Sequence, residues 1–192
     1  MNDDTDRSPD SVTGRHVVLV GMMGVGKSTV GRRVAEELGR PFSDSDAVIE
    51  ARTGRTVAEI FAHEGEPAFR SLETEVLAAV LDDPTPTVVA AAGGVVLDPG
   101  NRAALRRAGT VVWLQAPVGL LVERVAGSTH RPALEADPAG TLARLAEGRE
   151  ELYAEVADLV VDAARPVDEV VERIVATVHD RETERSAGRS TP

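Results

Sequence analysis

The sequence predicts an α/β fold in which helices cover both faces of a five-stranded parallel sheet. Five short apolar runs alternate with segments of helical periodicity along the 192 residues. The runs lack the apolar–polar alternation of a strand with one face in water, so each strand is expected to be buried on both faces. Strands that alternate with helices form parallel sheets, because each helix carries the chain back across the sheet.

The elements follow in order along the chain. Apolar runs predict strands at residues 16–20, near 42–44, at 87–92, at 110–114 and at 158–162. Helical patterns predict helices over about 27–38, within 47–82, from near 99, over about 117–126 and 138–157, and from the last strand to about 180. The 47–82 region is expected to break near Gly54 and Gly65, and Pro67 suits the first turn of its last segment.

The two ends of the chain differ from its centre. Residues 1–14 and about 181–192 are polar and carry Ser, Pro, Gly and charge, which predicts disordered tails. Residues 15–180 have the length of one domain with its own core. Inside this domain, Gly and Pro punctuate a predicted loop at residues 127–137, GSTHRPALEAD.

The composition excludes several classes of protein. The formal net charge of −11 argues against nucleic acid and anionic membrane surfaces as partners. The lack of cysteine excludes disulfides and thiolate metal sites. No stretch approaches the roughly 20 apolar residues of a membrane span, and the acidic N-terminus has no signal-peptide run. We therefore expect a cytoplasmic protein, and its acidic surface favours a monomer.

Residues 21–29, GMMGVGKST, predict a phosphate-binding loop. They match G-x-x-x-x-G-K-[ST] through Gly21, Gly26, Lys27 and Ser28. The motif follows a predicted strand and opens a predicted helix, so that successive backbone N–H groups can bind phosphate oxygens. Lys27, the only lysine in the sequence, adds a compact charge at the β- and γ-phosphates, and the Ser28 hydroxyl is a magnesium ligand. A glycine-rich turn without a ligand is the structural alternative.

The absence of a second lysine narrows the phosphate chemistry. A GTPase needs an N-K-x-D motif that reads the base, and this chain cannot supply its lysine. The L-S-G-G-Q signature of transporter ATPases is also absent. A chain of this size with a phosphate loop suits an ATP-dependent kinase of small metabolites.

Two aspartates lie at the end of the predicted second strand. Side chains two residues apart on a strand share a face, so the carboxylates of Asp44 and Asp46 can lie together. One can support magnesium through water, and the other can accept a proton from a substrate hydroxyl. Turn formation after the strand is the structural alternative.

Three arginines are candidates for contact with an anion. Arg149 completes the apolar stripe of its predicted helix, where a guanidinium needs either an acidic ligand or an internal salt bridge. Arg70 lies beside another apolar stripe, and a pair with Glu66 four residues earlier is its alternative role. Arg131, in the 127–137 loop, is either solvated or part of a lid that closes on the phosphates.

Together these stretches resemble shikimate kinase in their order and spacing. The resemblance covers about residues 15–178 and rests on GMMGVGKST (21–29), DSDAVIEARTG (44–54), IFAHEGEPAFRSLE (60–73), AGGVV (92–96), RPAL (131–134) and REELY (149–153). It implies a three-layer P-loop kinase fold of the nucleoside-monophosphate-kinase type, with a substrate-binding segment at about 44–73 and a lid at about 127–137. The implied reaction moves the γ-phosphoryl group of ATP to the 3-hydroxyl of shikimate with Mg²⁺, a step of aromatic amino acid biosynthesis.

The resemblance also implies roles for individual residues. The implied catalytic residues are Lys27, Asp46 and Arg131. The implied nucleotide-binding residues are Gly24, Val25, Gly26, Lys27, Ser28, Thr29, Arg124, which packs on adenine, and Arg131. The implied shikimate-binding residues are Asp46, the backbone donors Gly93 and Gly94, and the carboxylate-clamping pair Arg70 and Arg149. The implied magnesium ligands are Ser28 and, through water, Asp44.

Two positions depart from the pattern of the family. Ala92 replaces the first of three glycines after the third strand, and it costs on the order of 1 kcal/mol or more if the position needs a positive φ. Glu151 replaces a proline, and its charge weakens binding of an acidic substrate unless it points to solvent. A kinase of another small hydroxy acid, such as gluconate, and a nucleotide-binding homologue without turnover are the alternative functions.

Overall fold

A computed structural model describes residues 15–126 and 137–188. The strands are β1 His16–Val20, β2 Phe42–Asp44, β3 Val88–Ala90, β4 Gly109–Gln115 and β5 Leu159–Asp162. The helices are α1 Lys27–Leu38, α2 Ser45–Thr53, α3 Val57–Leu81, α4 Pro99–Ala108, α5 Val118–Val125, α6 Pro138–Val156 and α7 Val167–Gly188. The predicted α/β class is confirmed.

The five strands form one parallel sheet in the order β2-β3-β1-β4-β5. β1 lies at the centre, where Val17 pairs with Val88 on one side and Thr110 on the other. All five residues of β1 are buried. Because successive side chains of a strand point to opposite faces, burial at every position means that helices cover both faces of the sheet. The predicted five-stranded parallel sheet is therefore confirmed.

The central strand brings several loops to one edge of the sheet. The carboxyl ends of β2, β3 and β1 are neighbours in this order, and each is followed by residues with candidate functional roles: Asp44, the 92–94 turn and the 21–29 loop. In open parallel sheets the ligand crevice lies outside these carboxyl ends. The fold thus explains why segments that lie far apart in sequence meet at one site.

The helical region after β2 breaks where the sequence predicts it. α2 ends at Gly54, whose φ of 67° and ψ of 16° are left-handed. α3 contains a non-helical residue at Gly65, with φ 78° and ψ 175°, and Pro67 begins the segment that follows. The two breaks allow α2 and the two parts of α3 to fold against each other around a second apolar cluster, which includes Ile49, Ile60 and Phe69.

Three details of the predicted elements are wrong. β3 covers only Val88–Ala90, and a short 3₁₀ turn at Val95–Leu97 follows it. Asp46 lies in the first turn of α2 and not on a strand, because the Asp44 side chain caps that helix. α7 continues to Gly188 instead of ending near 180, so residues 181–188 are helical and not a disordered tail. Residues 1–14 and 189–192 lie outside the described residues.

Within residues 15–126 and 137–188, no helix is long and apolar enough to cross a membrane.

Candidate active site

The 21–29 loop forms a phosphate-binding structure between β1 and α1. Gly26 caps α1 with a φ of 103°, and its carbonyl accepts the first helical hydrogen bond from Val30 at 2.9 Å. The N–H groups that precede this bond have no partner inside the helix and are available to an anion. Gly24 also has a positive φ, and a Cβ there would lie 2.7 Å from Cγ1 of Val125. Glycine is therefore required where the loop turns back over α5.

Lys27 lies in the first turn of α1, with its ammonium group held by the loop itself. Its Nζ donates to the carbonyl of Gly21 at 2.8 Å and to that of Met22 at 3.1 Å. Two carbonyls so close together suit the compact ammonium group of lysine better than the wide planar fork of arginine. The arrangement gives a structural reason for the single lysine of the chain.

Ser28 and Asp44 bring the phosphate loop into contact with the end of β2. The Ser28 hydroxyl donates to Oδ2 of Asp44 at 2.5 Å, and Oδ1 of the same carboxylate accepts from the Asp46 N–H at 3.1 Å. The turn-forming role that the sequence left open for Asp44 is thus real, and it coexists with the contact to the loop. Both predicted metal ligands lie at one point, where hard oxygen donors are concentrated.

The loop and the paired aspartates share one cavity with the predicted acceptor residues. The cavity has a volume of about 640 Å³. Its lining includes Gly24, Gly26, Lys27, Ser28, Thr29, Asp44, Asp46, Phe61, Glu66, Phe69, Arg70, Glu73, Ala92, Gly93, Gly94, Leu145 and Arg149. A volume of this size is within the range of small-molecule sites. Residues implied to bind nucleotide and residues implied to bind the acceptor are therefore continuous in space.

Arg70 lies on α3 between two carboxylates and two aromatic rings. Its Nη2 pairs with Oε1 of Glu66 at 2.6 Å, and its Nη1 pairs with Oε2 of Glu73 at 2.5 Å. The guanidinium carbon lies 5.5 Å from the ring centre of Phe69 and 6.0 Å from that of Phe61. Burial opposes its charge, but the bonds and charges of Glu73 and Glu66 outweigh burial and raise the pKa of Arg70. Arg70 therefore stays charged, and the alternative pair with Glu66 coexists with its place in the cavity.

Glu73 is a site residue that the sequence reasoning missed. Its side chain is 1% exposed, and its second oxygen, Oε1, has no hydrogen-bond partner among the described residues. Burial raises the pKa of this carboxyl against the opposing influence of Arg70. The available signal was its position: Glu73 lies between Phe69 and Val76 on the buried stripe of α3, where a carboxylate needs a partner.

Arg149 lies on α6 with its guanidinium buried against the turn after β3. It is 5% exposed, and its Nη1 donates to the carbonyl of Gly93 at 3.3 Å. None of the ion pairs within the described part of the chain involves Arg149. Of the two roles left open by the sequence, the internal salt bridge is therefore excluded for the described residues.

The turn after β3 presents backbone donors between the two arginines. Ala92 has no positive φ, and its N–H donates to the Ser45 hydroxyl at 2.8 Å, so alanine is accommodated without the strain that the sequence left possible. The N–H groups of Gly93 and Gly94 have no acceptor among the described residues. A Cβ on Gly94 would collide with the guanidinium of Arg70, which explains the glycine there.

The remaining predicted positions are more peripheral. Arg124 is exposed, and it donates to the carbonyl of Val25 at 3.1 Å and to that of Ala163 at 3.0 Å, so it braces the phosphate loop from α5. Val25 is itself a buried residue of this loop. Glu151 is exposed, which places its charge in solvent. Arg131 and most of the predicted lid lie outside the described residues.

A phosphate loop at the end of a central parallel strand, joined in one cavity to arginines and carboxylates, defines a P-loop kinase of a small acceptor. Comparisons with known proteins agree. A family model described as shikimate kinase matches residues 23–179. The chain belongs to the shikimate kinase family.

Individual relatives support the same assignment. The chain is 48% identical over 166 residues to a shikimate kinase of Paramagnetospirillum magneticum, covering 86% of this chain and 83% of that protein. It resembles the structure of a shikimate kinase from Acinetobacter baumannii in complex with shikimate, with a TM-score of 0.84, 38% identity and coverage of 88% and 95% of the two chains. A gluconokinase from Sinorhizobium meliloti is more distant, with a TM-score of 0.65, 26% identity and coverage of 94% and 99%.

Proposed function

We propose that this protein transfers the γ-phosphoryl group of ATP to the 3-hydroxyl of shikimate, with Mg²⁺. One observation carries the choice of acceptor. Arg149 is 5% exposed, forms no ion pair with a carboxylate of the described residues, and lines the cavity that contains the phosphate loop. A buried cation without an ion-pair partner is unfavourable, and an acidic ligand supplies the missing negative charge.

The carboxylate of the acceptor would lie between Arg149 and Arg70. Planar guanidinium groups match carboxylates with two parallel hydrogen bonds, which fixes the orientation of the ligand as well as its charge. The backbone donors of Gly93 and Gly94 lie between the two arginines and can bind the same end of the acceptor. The hydroxyl end of the ligand then faces the aspartates and the phosphate loop.

Asp46 is the residue proposed to contact the reacting hydroxyl. It lines the cavity beside Asp44, whose carboxylate in turn contacts Ser28 of the phosphate loop. During transfer, the hydroxyl oxygen forms a bond to the γ-phosphorus while the bond to the bridging oxygen of ADP breaks, and Asp46 accepts the hydroxyl proton. Lys27 neutralises charge on the phosphates, and Arg131 is proposed to do so from the lid.

The residues present fit a magnesium ion. The Ser28 hydroxyl and the Asp44 carboxylate lie 2.5 Å apart and are the hard oxygen donors that Mg²⁺ prefers. Among the described residues no group of three His, Cys, Asp or Glu side chains could hold a metal, so most ligands of such an ion would be phosphate oxygens and water. When bound, the ion would neutralise charge on the β- and γ-phosphates.

Gluconate is the second candidate acceptor, because it is also a hydroxy acid and a gluconokinase shares the fold. The acceptor end of the cavity favours a ring over an open polyol chain. Phe61 and Phe69 lie with ring centres 4.6 Å apart and contribute an apolar wall that suits the carbon face of a cyclohexene. The non-catalytic alternative is disfavoured because the phosphate-loop lysine, the hydroxyl and both aspartates are all present.

The proposal is tested by coupled ADP release with ATP, Mg²⁺ and a panel of shikimate, quinate and gluconate. We expect shikimate-dependent release that exceeds release with the other two acids. No shikimate-dependent release, or faster release with gluconate, would contradict the proposal. We also propose a monomer, since the described surface exposes only three large apolar side chains, Leu97, Val160 and Val167, and the chain is strongly acidic. Size-exclusion chromatography with light scattering checks that point.

A further inference from the structure

Tyr153 is a buried residue that contacts the cavity lining at Gly93 and that the proposed reaction does not yet use. It lies four residues after Arg149 on α6, so the two side chains share one face of the helix. Both side chains donate a hydrogen bond to the carbonyl of Gly93. The Tyr153 hydroxyl donates to it at 2.6 Å, and Arg149 donates at 3.3 Å. The tyrosine bond is short and the arginine bond is long for its kind, so tyrosine is the principal support of this carbonyl.

The Gly93 carbonyl and the Gly94 N–H belong to one peptide unit. No peptide bond of the described chain is cis, so the two groups lie in one plane and point in opposite directions. When Tyr153 holds the carbonyl towards α6, it also fixes the direction of the N–H away from α6. That N–H has no acceptor among the described residues, and Gly94 lies directly against the Arg70 guanidinium.

The turn needs support from outside because it contains two successive glycines. Glycine has wide backbone freedom, so the orientation of the 93–94 peptide is poorly determined by the turn itself. The Ala92 N–H donates to the Ser45 hydroxyl, and the Val95 N–H donates to the Ala92 carbonyl, which closes a turn around the 93–94 peptide. A turn closed in this way forms with either orientation of its central peptide, as in types I and II, so these bonds do not fix that orientation. Within the described chain, the hydrogen bonds to the Gly93 carbonyl come from Tyr153 and Arg149.

Tyr153 is itself held in place. Its ring stacks on Trp113 of β4, with ring centres 5.8 Å apart and an interplanar angle of 28°. The side chain is 1% exposed, and burial raises the pKa of its hydroxyl to about 12. The hydroxyl therefore remains a protonated donor throughout the physiological range of pH.

We propose that Tyr153 is a positioning residue of the acceptor site: its hydroxyl holds the Gly93 carbonyl and thereby aims the Gly94 N–H at the bound acceptor. The inference rests on the proposed function, because it assigns a task to that same site. It predicts that the hydroxyl contributes to binding of the acceptor and not to binding of the nucleotide.

Tyr153→Phe tests the proposal, since phenylalanine keeps the stacked ring and removes only the hydroxyl. We expect KM for shikimate to rise by about fivefold, the effect of one neutral hydrogen bond, while KM for ATP stays within about twofold. The matched control is Thr87→Val. The Thr87 hydroxyl donates to the Thr85 carbonyl at 2.8 Å at the opposite end of β3, so its loss removes a comparable bond away from the cavity. The control should leave both KM values unchanged.

The outcomes separate this inference from the proposed function. If the wild-type protein releases no ADP with shikimate, the proposed function fails, and the inference fails with it. If the wild type is active but Tyr153→Phe lowers only the melting temperature, with KM for shikimate unchanged, Tyr153 is merely structural. Equal rises of both KM values would also overturn the inference.

A second measurement covers the case in which Tyr153→Phe does not fold. Tyr153 is the only tyrosine of the chain, so biosynthetic 3-fluorotyrosine gives a single ¹⁹F signal at this site. Shikimate added without nucleotide should shift that signal, and ADP alone should not. The inference would be overturned if the ¹⁹F signal did not shift at shikimate concentrations where calorimetry detects binding.

Discussion

Replacing Arg149 by methionine removes a positive charge from the cavity wall while keeping most of the apolar stem. Arg149 is 5% exposed and forms no ion pair among the described residues, whereas Arg70 is paired with Glu66 and Glu73. Of the two arginines, Arg149 therefore has more of its hydrogen-bonding capacity left for a ligand. Arg149→Met is expected to weaken shikimate binding more than a change at Arg70 does.

The magnitude follows from the contacts that are lost. A hydrogen bond to a charged group contributes about 1.5–3 kcal/mol, and a guanidinium can form two with one carboxylate. A loss of about 3 kcal/mol corresponds to roughly a 100-fold weaker affinity. The bond to the Gly93 carbonyl is long, at 3.3 Å, so little of the loss comes from the protein itself.

The free energy of unfolding should move in the opposite direction or not at all. A buried guanidinium without a paired carboxylate is unfavourable, and methionine fills a similar apolar volume. Urea unfolding of the ligand-free protein should therefore give a stability for Arg149→Met equal to or above that of the wild type. A residue that lowers stability in order to bind a ligand has this signature.

Calorimetry with shikimate and with ATP is the assay. Arg106→Met on α4 is the control, because Arg106 is a half-exposed arginine that pairs with Glu155 outside the cavity. The control should bind both ligands normally. If Arg149→Met weakened ATP and shikimate equally, or lost several kcal/mol of stability, Arg149 would be a structural residue and the reasoning would be refuted.

Three further predictions follow from other parts of the site. Lys27→Arg should lower kcat by about 100-fold or more, because the wider guanidinium cannot take the place of Nζ beside the carbonyls of Gly21 and Met22. Calorimetry should find that the affinity of this variant for shikimate is unchanged. Burial raises the pKa of Glu73 above the usual 4.5, so the free energy of unfolding of the wild type relative to Glu73→Gln should be greatest below pH 4.5 and fall as the pH rises through the folded-state pKa. Urea unfolding of both proteins across pH 4.5–7 measures this difference. A difference that does not change with pH would contradict the prediction. Ala92→Gly should leave kcat and KM within about twofold, because Ala92 has no positive φ that glycine could relieve. The substitution should lower the stability measured by thermal unfolding by about 1 kcal/mol. A marked gain in activity would contradict this prediction.

The sheet could be predicted from the sequence because its strands are buried on both faces. HVVLV has no polar alternation, and the structure buries all five of its residues between helix layers. The phosphate loop could also be predicted, since its glycines and its lysine have a fixed spacing and must lie between a strand and a helix. Both features depend on residues that are neighbours in sequence.

The features that escaped prediction depend on contacts between distant segments. α7 continues to Gly188 where the local sequence suggested an end, and its last turns carry Glu182, which pairs with Arg40, and Arg181, which pairs with Asp158. Neither pair can be read from residues 167–188 alone. The position of Asp46 was missed for a different reason: Asp44 can end a strand and cap a helix, and the choice depends on where α2 packs.

In the candidate site, too, features visible in the local sequence were predicted, and features that depend on contacts between distant segments were not. Arg149 was identified because a charge on an apolar helical stripe is visible in the sequence. The equivalent signal at Glu73 was overlooked, since Glu66 offered a simpler partner for Arg70, and both pairs form. Tyr153 lies four residues after Arg149, but its bond to Gly93 joins residues 60 positions apart and needed the fold.

We propose that this protein phosphorylates the 3-hydroxyl of shikimate, and the identity of the product is the sharpest test of that proposal. The protein is incubated with ATP, Mg²⁺ and shikimate, and the product is examined by ³¹P NMR with proton coupling. We expect one new phosphate ester whose phosphorus couples to the proton on carbon 3 of the ring. Phosphorus on another hydroxyl, or only inorganic phosphate released from ATP, would contradict it.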